Sequence, residues 1–142
     1  MTRAAVLQAV NSVFADLAAL GDSVSAEVLG GAIVERANPT MQHGRAQVSL
    51  GGFVRRRFDR GGGGRWPGGW WIATEVDVEY DPHEVFRHDV VGWRRDRAGE
   101  CPSGRPVRLR PDWVCEILSP SNEKRDLVDK MRVLRAAGVP HY

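Results

Sequence analysis

The stretch Asp112–Ser119 constrains the fold most: Val114, Cys115, Ile117 and Leu118 surround a single carboxylate, Glu116. A strand apolar on both faces belongs in the middle of a sheet covered on both sides. The chain is therefore expected to be an α/β domain, helices packed on a sheet. An ionised carboxylate in such a strand needs a partner. A second run, Val85–Trp93, has the same character and is interrupted by His88-Asp89. Two carboxylates about 4 Å apart repel by roughly 4 kcal/mol at an effective dielectric of 20. A divalent cation between them removes that cost, and Mg²⁺ takes one or two carboxylates together with phosphate oxygens. The alternative is that Asp89 and Glu116 each pair with a buried arginine or cap a strand end.

Around these runs the pattern predicts a helix over 4–19, with Val6, Val10, Val13, Phe14 and Leu17 on one stripe. A β-hairpin follows, Ala26–Leu29 and Ala32–Arg36, turned by Gly30-Gly31. A second helix is expected at 41–58, with Ala46, Leu50, Phe53, Val54 and Phe58 on its apolar arc and His43 on the same arc in the first turn. Gly61–Gly69, almost all glycine, reads as a mobile loop. Trp70–Tyr80 alternates as one strand, Arg94–Arg110 reads as an exposed connection, and a helix is expected at 123–137, closed by Gly138. At 142 residues this makes one domain. Asn11 and Asp16 within the apolar pattern of the first twenty residues argue against a signal peptide or membrane span, so a cytoplasmic location is expected. Two cysteines, Cys101 and Cys115, are too few for a disulfide scaffold.

Lysine is rare. Of 20 basic residues only Lys124 and Lys130 are lysines, and the net charge of +2 is too small to announce a nucleic-acid partner by itself. On a helical wheel Leu127, Met131, Val133, Leu134 and Ala137 form an apolar arc that includes Asp126 and Lys130. These two are spaced i,i+4 and can pair with each other. Alternatively Lys130 reaches the pocket of Glu116, where a compact point charge can polarise water or balance a phosphate. His43 is either a core histidine or a site residue at a helix N-terminus, where anions bind. Glu75 is either a third metal carboxylate or a solvated strand residue. Arg55-Arg56-Arg57 is a solvated helix end or a phosphate contact. Arg65 and Trp66 in the glycine loop offer charge and a stacking face, unless the tryptophans here pack on the sheet.

The stretch Arg110-Pro111-Asp112-Trp113-Val114-Cys115-Glu116-Ile117-Leu118-Ser119-Pro120-Ser121-Asn122, then Arg125-Asp126-Leu127 with Lys130, then Ala136-Ala137-Gly138-Val139-Pro140-His141-Tyr142, closely resembles the Uma-two family of restriction-type endonucleases, in the PD-(D/E)XK nuclease superfamily. Pro39 with His43-Gly44, and His88-Asp89-Val90-Val91, look like its other landmarks, and the resemblance covers about residues 26–142. It implies a restriction-endonuclease-like mixed sheet, with Asp89 and Glu116 as acidic metal ligands. Leu118 fills the strand position of the superfamily's usual lysine, and Lys130 on the following helix matches instead. Where the family usually has proline before the aspartate, this chain has His88. Relatives continue into further strands past the equivalent of Pro140-His141-Tyr142, so the expectation is a domain short of its C-terminal strands.

The function expected is Mg²⁺-dependent hydrolysis of phosphodiester bonds in DNA, with Mn²⁺ as a substitute. Asp89 and Glu116, with Glu75, would hold the metal, and Lys130 and His43 would serve the chemistry. Arg55, Arg65 and Trp66 would contact the nucleic acid. No membrane partner is expected, and a homodimer is compatible with the chain. The rival is a non-catalytic nucleic-acid-binding or assembly module of the same fold.

Overall fold

Gly30 and Gly31 both have positive φ, 59° and 80°, and turn β1 (Ala26–Leu29) into β2 (Ala32–Glu35). A side chain at either position would be strained, which is why two glycines stand there. The computed structural model describes residues 15–119 and 124–142, the side chains of 124–126 excepted. Residues 15–19 are helical. The rest of the expected 4–19 helix, the Pro120–Asn122 turn and the Asp126 side chain fall outside the described residues.

The expected Trp70–Tyr80 strand is broken. It divides into β3 (Trp70–Ala73) and β4 (Val76–Asp81), and the second run likewise divides into β5 (Glu84–His88) and β6 (Val90–Arg94). The two breaks face each other, since the Glu75 N–H donates to the His88 carbonyl at 3.0 Å. Glu75 sits there at φ 55°, a left-handed conformation that side chains other than glycine rarely adopt. One long hairpin thus bends and serves two antiparallel sheets. The first has the order β2-β1-β5-β4, the second β3-β6-β7, with β7 spanning Trp113–Cys115. Among the described residues, parallel pairing is limited to the isolated bridges Val78↔Val107 and Trp113↔His141.

Gly92 explains how two tryptophan-bearing strands flank β6. A Cβ there would lie 3.0 Å from Ile72 Cδ1 and 3.2 Å from Trp70 Cε3. The core joins both sheets to the last helix through Val78, Phe86, Val91, Trp93, Val114 and Leu134. The Arg94–Arg110 connection is less exposed than its polarity predicts. Ala98 and Val107 are buried in that core, and the Trp93 and Trp71 indole N–H groups donate to Leu109 and Ala98 carbonyls at 2.9 and 2.8 Å.

Two helices flank the sheets, α1 (Met41–Phe58) and α2 (Lys124–Ala136). The inward face of α1 carries His43, Gln47, Leu50, Val54 and Phe58, whereas Ala46 and Phe53 point out. Phe53 is covered instead by the Arg57 guanidinium, 3.5 Å from its ring centre. On α2, Leu134 is buried while Met131 turns to solvent, so Lys130 shares its face with Leu127, Leu134 and Ala137.

Asp112 ties β6 to β7 and their flanking loops. Its carboxylate accepts from the Arg94 N–H at 2.8 Å and Arg97 Nε at 3.0 Å. Burial alone would raise its pKa. The Arg97 and Arg94 hydrogen bonds and the nearby Arg97 and Arg110 charges outweigh that and hold it below the usual aspartate range. A depressed folded pKa stabilises above the unfolded value of about 3.9, and that contribution is lost as pH falls through the folded value. Asp112→Asn is therefore expected to cost about 1–3 kcal/mol in urea unfolding at pH 7, with the gap closing below about pH 4.

Candidate active site

A cleft of about 340 Å³ opens where the two sheets part, between the N-terminus of α1 and the face of α2. Its lining includes Glu27, Arg36, His43, Gln47, Glu75, Asp89, Glu116 and Lys130, drawn from the first hairpin, both helices and the ends of the other strands. Each sits there for a local reason. Asp89 is the residue at the bend between β5 and β6, and Glu116 directly follows β7, whose pairing ends at Cys115. His43 stands in the first turn of α1, which Thr40 caps by accepting the His43 N–H at 3.1 Å.

Asp89 is 2 % exposed and fully engaged. Oδ1 accepts from Arg36 Nη2 at 3.1 Å, and Oδ2 accepts from the Ile117 N–H at 2.7 Å with His43 Nε2 3.4 Å away. The Ile117 bond fixes the spacing of the two acidic residues, because it runs from the peptide that follows Glu116. Burial pushes the Asp89 carboxyl upward. The Ile117 N–H works against this and Glu116 adds to it, and the pKa ends above the usual range despite Arg36 and His43.

Glu116 is not isolated in an apolar strand, as the sequence pattern predicts. The strand stops one residue earlier, and Leu118 is 65 % exposed. Its Oε1 lies 2.6 Å from His88 Nδ1, and the fully buried His88 ring reaches the Tyr80 hydroxyl through Nε2, also at 2.6 Å. Burial would raise the Glu116 carboxyl. The His88 hydrogen bond, with the fields of Lys130 and Arg36, more than offsets it, so Glu116 stays ionised below the usual range. Burial, with the Glu116 charge, pushes Tyr142 up to about 12.

Lys130 stands in this cleft, and its closest acidic partner is one that sequence reasoning misses. Nζ lies 2.5 Å from Glu27 Oε2. Glu27, on β1 and 5 % exposed, also accepts the Arg87 N–H at 2.9 Å and stands 3.8 Å from Arg36 Nε. Arg36 is a second omission: it bridges Glu27, Glu75 and Asp89. The signal for Glu27 was the one that singled out Glu116, an acid among apolar neighbours, in Ala26-Glu27-Val28-Leu29. Glu75 joins the cleft through Arg36 at 3.0 Å and Gln47 at 2.8 Å. Both its oxygens are thus engaged, as are those of Asp89. Among the described residues no three His, Cys, Asp or Glu side chains gather as a metal-holding group.

Arg55, Arg65 and Trp66 lie elsewhere, toward the far end of α1. Arg57 stacks between Phe53 and Trp66, at 3.5 and 4.5 Å from the ring centres, and Arg65 lies 5.1 Å from the same tryptophan. The glycine loop is tied at its end, where the Gly68 and Gly69 N–H groups donate to Arg57 and Arg60 carbonyls. Trp71 packs against Arg95 instead of facing outward.

No curated protein matches the chain. A crystal structure described as a "putative nuclease" from Anabaena variabilis shares its fold, with a TM-score of 0.62 and 16 % identity. The likeness covers 80 % of this chain and 62 % of that one, and at this identity it speaks for the fold alone. A family model described as "Putative restriction endonuclease" matches residues 13–142, a span that includes every residue of the cleft. The chain belongs to the Uma2 family.

Proposed function

We propose that the chain is a metal-dependent nuclease that hydrolyses phosphodiester bonds in DNA at the Asp89–Glu116 cleft. The observation that carries this reading is convergence: Asp89 from the strand bend, Glu116 from the end of β7 and Lys130 from α2 line one cavity. The charges fit a divalent cation. Leaving aside the solvent-facing Glu35, four carboxylates (Glu27, Glu75, Asp89 and Glu116) meet two basic side chains, Arg36 and Lys130. That leaves a deficit of two. Two carboxylates, water and substrate oxygens are the ligands Mg²⁺ prefers, and a full protein cage is not required.

Asp89 and Glu116 would hold the ion, with Mn²⁺ as a substitute. When bound it would supply charge for the departing oxygen and acidify a water. Lys130, anchored by Glu27, presents an ammonium that donates to the attacking water or to a phosphate oxygen. His43 keeps Oδ2 of Asp89 oriented, and Arg36 is placed between Asp89 and Glu75 so that neither repels the other unopposed. The water oxygen bonds to phosphorus as the P–O bond to the leaving strand breaks; one of the water's protons goes to the departing oxygen and the other passes to solvent.

The DNA would extend along α1. His43 and Arg57 are fourteen residues apart, which at about 1.5 Å per residue is roughly 20 Å, or about six nucleotides of duplex. Arg55, which is 77 % exposed, Arg65 and the Trp66–Arg57 stack would meet the backbone there. The test is cleavage of plasmid and linear DNA with Mg²⁺, with Mn²⁺ and with EDTA. Metal-dependent cutting is expected, and a triple Arg55→Ala, Arg65→Ala, Trp66→Ala protein should bind oligonucleotides at least about tenfold more weakly, with a shallower salt dependence. DNA binding without cutting under any of these metals would instead support the non-catalytic module.

A further inference from the structure

Tyr80 and His88 lie behind the cleft and do not line it. His88 is completely buried, its ring edge-on to Phe86 and Tyr80, and each of its nitrogens has a partner at 2.6 Å. The chemistry at the two ends decides the direction of this chain. A phenol, with an ordinary pKa of about 10, is a donor at neutral pH, and a carboxylate only accepts. A neutral imidazole satisfies both ends when Nδ1 carries the hydrogen and Nε2 the lone pair. The opposite tautomer would set a lone pair against the Glu116 carboxylate in a buried site.

We propose that Tyr80 and His88 are positioning residues for Glu116. The Tyr80 hydroxyl donates to Nε2 and so fixes the Nδ1–H tautomer, and Nδ1–H pins Oε1, leaving Oε2 as the oxygen for a cation in the cleft. This rests on the reading of Glu116 as a metal-holding carboxylate. Oε2 has no hydrogen-bond partner among the described residues, as the assignment requires.

Two measurements test the proposal, one of them independent of metal and of activity. Long-range ¹H–¹⁵N spectra of the four labelled histidines, with His88 assigned through His88→Asn, should show Nε2 without a proton and a slowly exchanging, downfield Nδ1 proton. In calorimetry with Mn²⁺, Tyr80→Phe and His88→Leu should weaken binding by about tenfold or more. His88→Asn places an amide N–H near the Nδ1 position and should recover most of the loss. Tyr80→Phe removes a single oxygen and carries the test should His88→Leu fold poorly. A protonated Nε2 in the wild type, or unchanged Mn²⁺ affinity in Tyr80→Phe and His88→Leu, overturns the proposal. If the wild type binds no Mn²⁺, the metal reading falls, and the His88 tautomer with its response to Tyr80→Phe decides whether the chain holds Glu116.

Discussion

Glu116→Gln is expected to lose at least about a hundredfold of Mg²⁺-dependent cleavage while the protein stays folded, an effect on the scale of removing one fixed electrostatic contact from a transition state. Glutamine is chosen over alanine because of His88. Its amide oxygen can still accept the Nδ1–H, whereas Glu116→Ala would strand a buried donor at a cost of about 1–3 kcal/mol. The strand pattern alone predicts the opposite for alanine, relief of an unpaired buried charge. The structure removes that reason, because Glu116 is hydrogen-bonded to His88 and lies in the fields of Lys130 and Arg36. Its depressed folded pKa means that the ionised form stabilises above the unfolded value of about 4.3, and that the contribution fades as pH falls through the folded value. Glu116→Gln should therefore cost about 1 kcal/mol at pH 7 and less toward pH 4, read by urea unfolding. Cleavage at the wild-type rate by Glu116→Gln would end the role of this carboxylate as a metal ligand.

Elements with a strong period were legible. The helix expected at 41–58 is Met41–Phe58, the last helix falls at Lys124–Ala136, and the Gly30-Gly31 turn joins the hairpin expected of it. Periodicity failed where tertiary geometry overrides it. Nothing in the alternation of Trp70–Tyr80 marks the break at Thr74-Glu75, because the break is made by two sheets diverging and by Glu75 accepting a left-handed backbone. The wheel position of Phe53 predicts an inward side chain, yet Phe53 is exposed and Arg57 covers it from outside. In the cleft, His43, Glu75, Asp89, Glu116 and Lys130 all arrive together. What the pattern could not supply was their partners. Glu27 and Lys130 come from opposite ends of the chain, and Arg36 closes a hairpin strand, so their ion pairs exist only once the fold is assembled. The Asp126 side chain, the local partner expected for Lys130, lies outside the described residues.

Lys130→Met should abolish cleavage and reduce stability, and the two losses should separate in a double-mutant cycle. Methionine keeps the aliphatic bulk on the α2 face beside Phe86, whose ring centre lies 5.4 Å from the amine, and removes the charge. The stability loss comes from Glu27, a buried acid deprived of its partner at 2.5 Å. Breaking a buried pair from one side costs about 3–5 kcal/mol when nothing else compensates. Here the Arg87 N–H and Arg36 remain on Glu27, so about 1–3 kcal/mol is expected. Adding Glu27→Gln to Lys130→Met removes the stranded charge while keeping an acceptor for the Arg87 N–H. The double variant should regain most of the melting temperature and none of the cleavage. Lys130→Arg should hold Glu27 yet cut at least about a hundredfold more slowly, because a planar fork cannot stand in for a compact ammonium within hydrogen-bond reach of a phosphate oxygen. Wild-type cleavage by a folded Lys130→Met protein would leave the lysine as a strut for Glu27 and take it out of the chemistry.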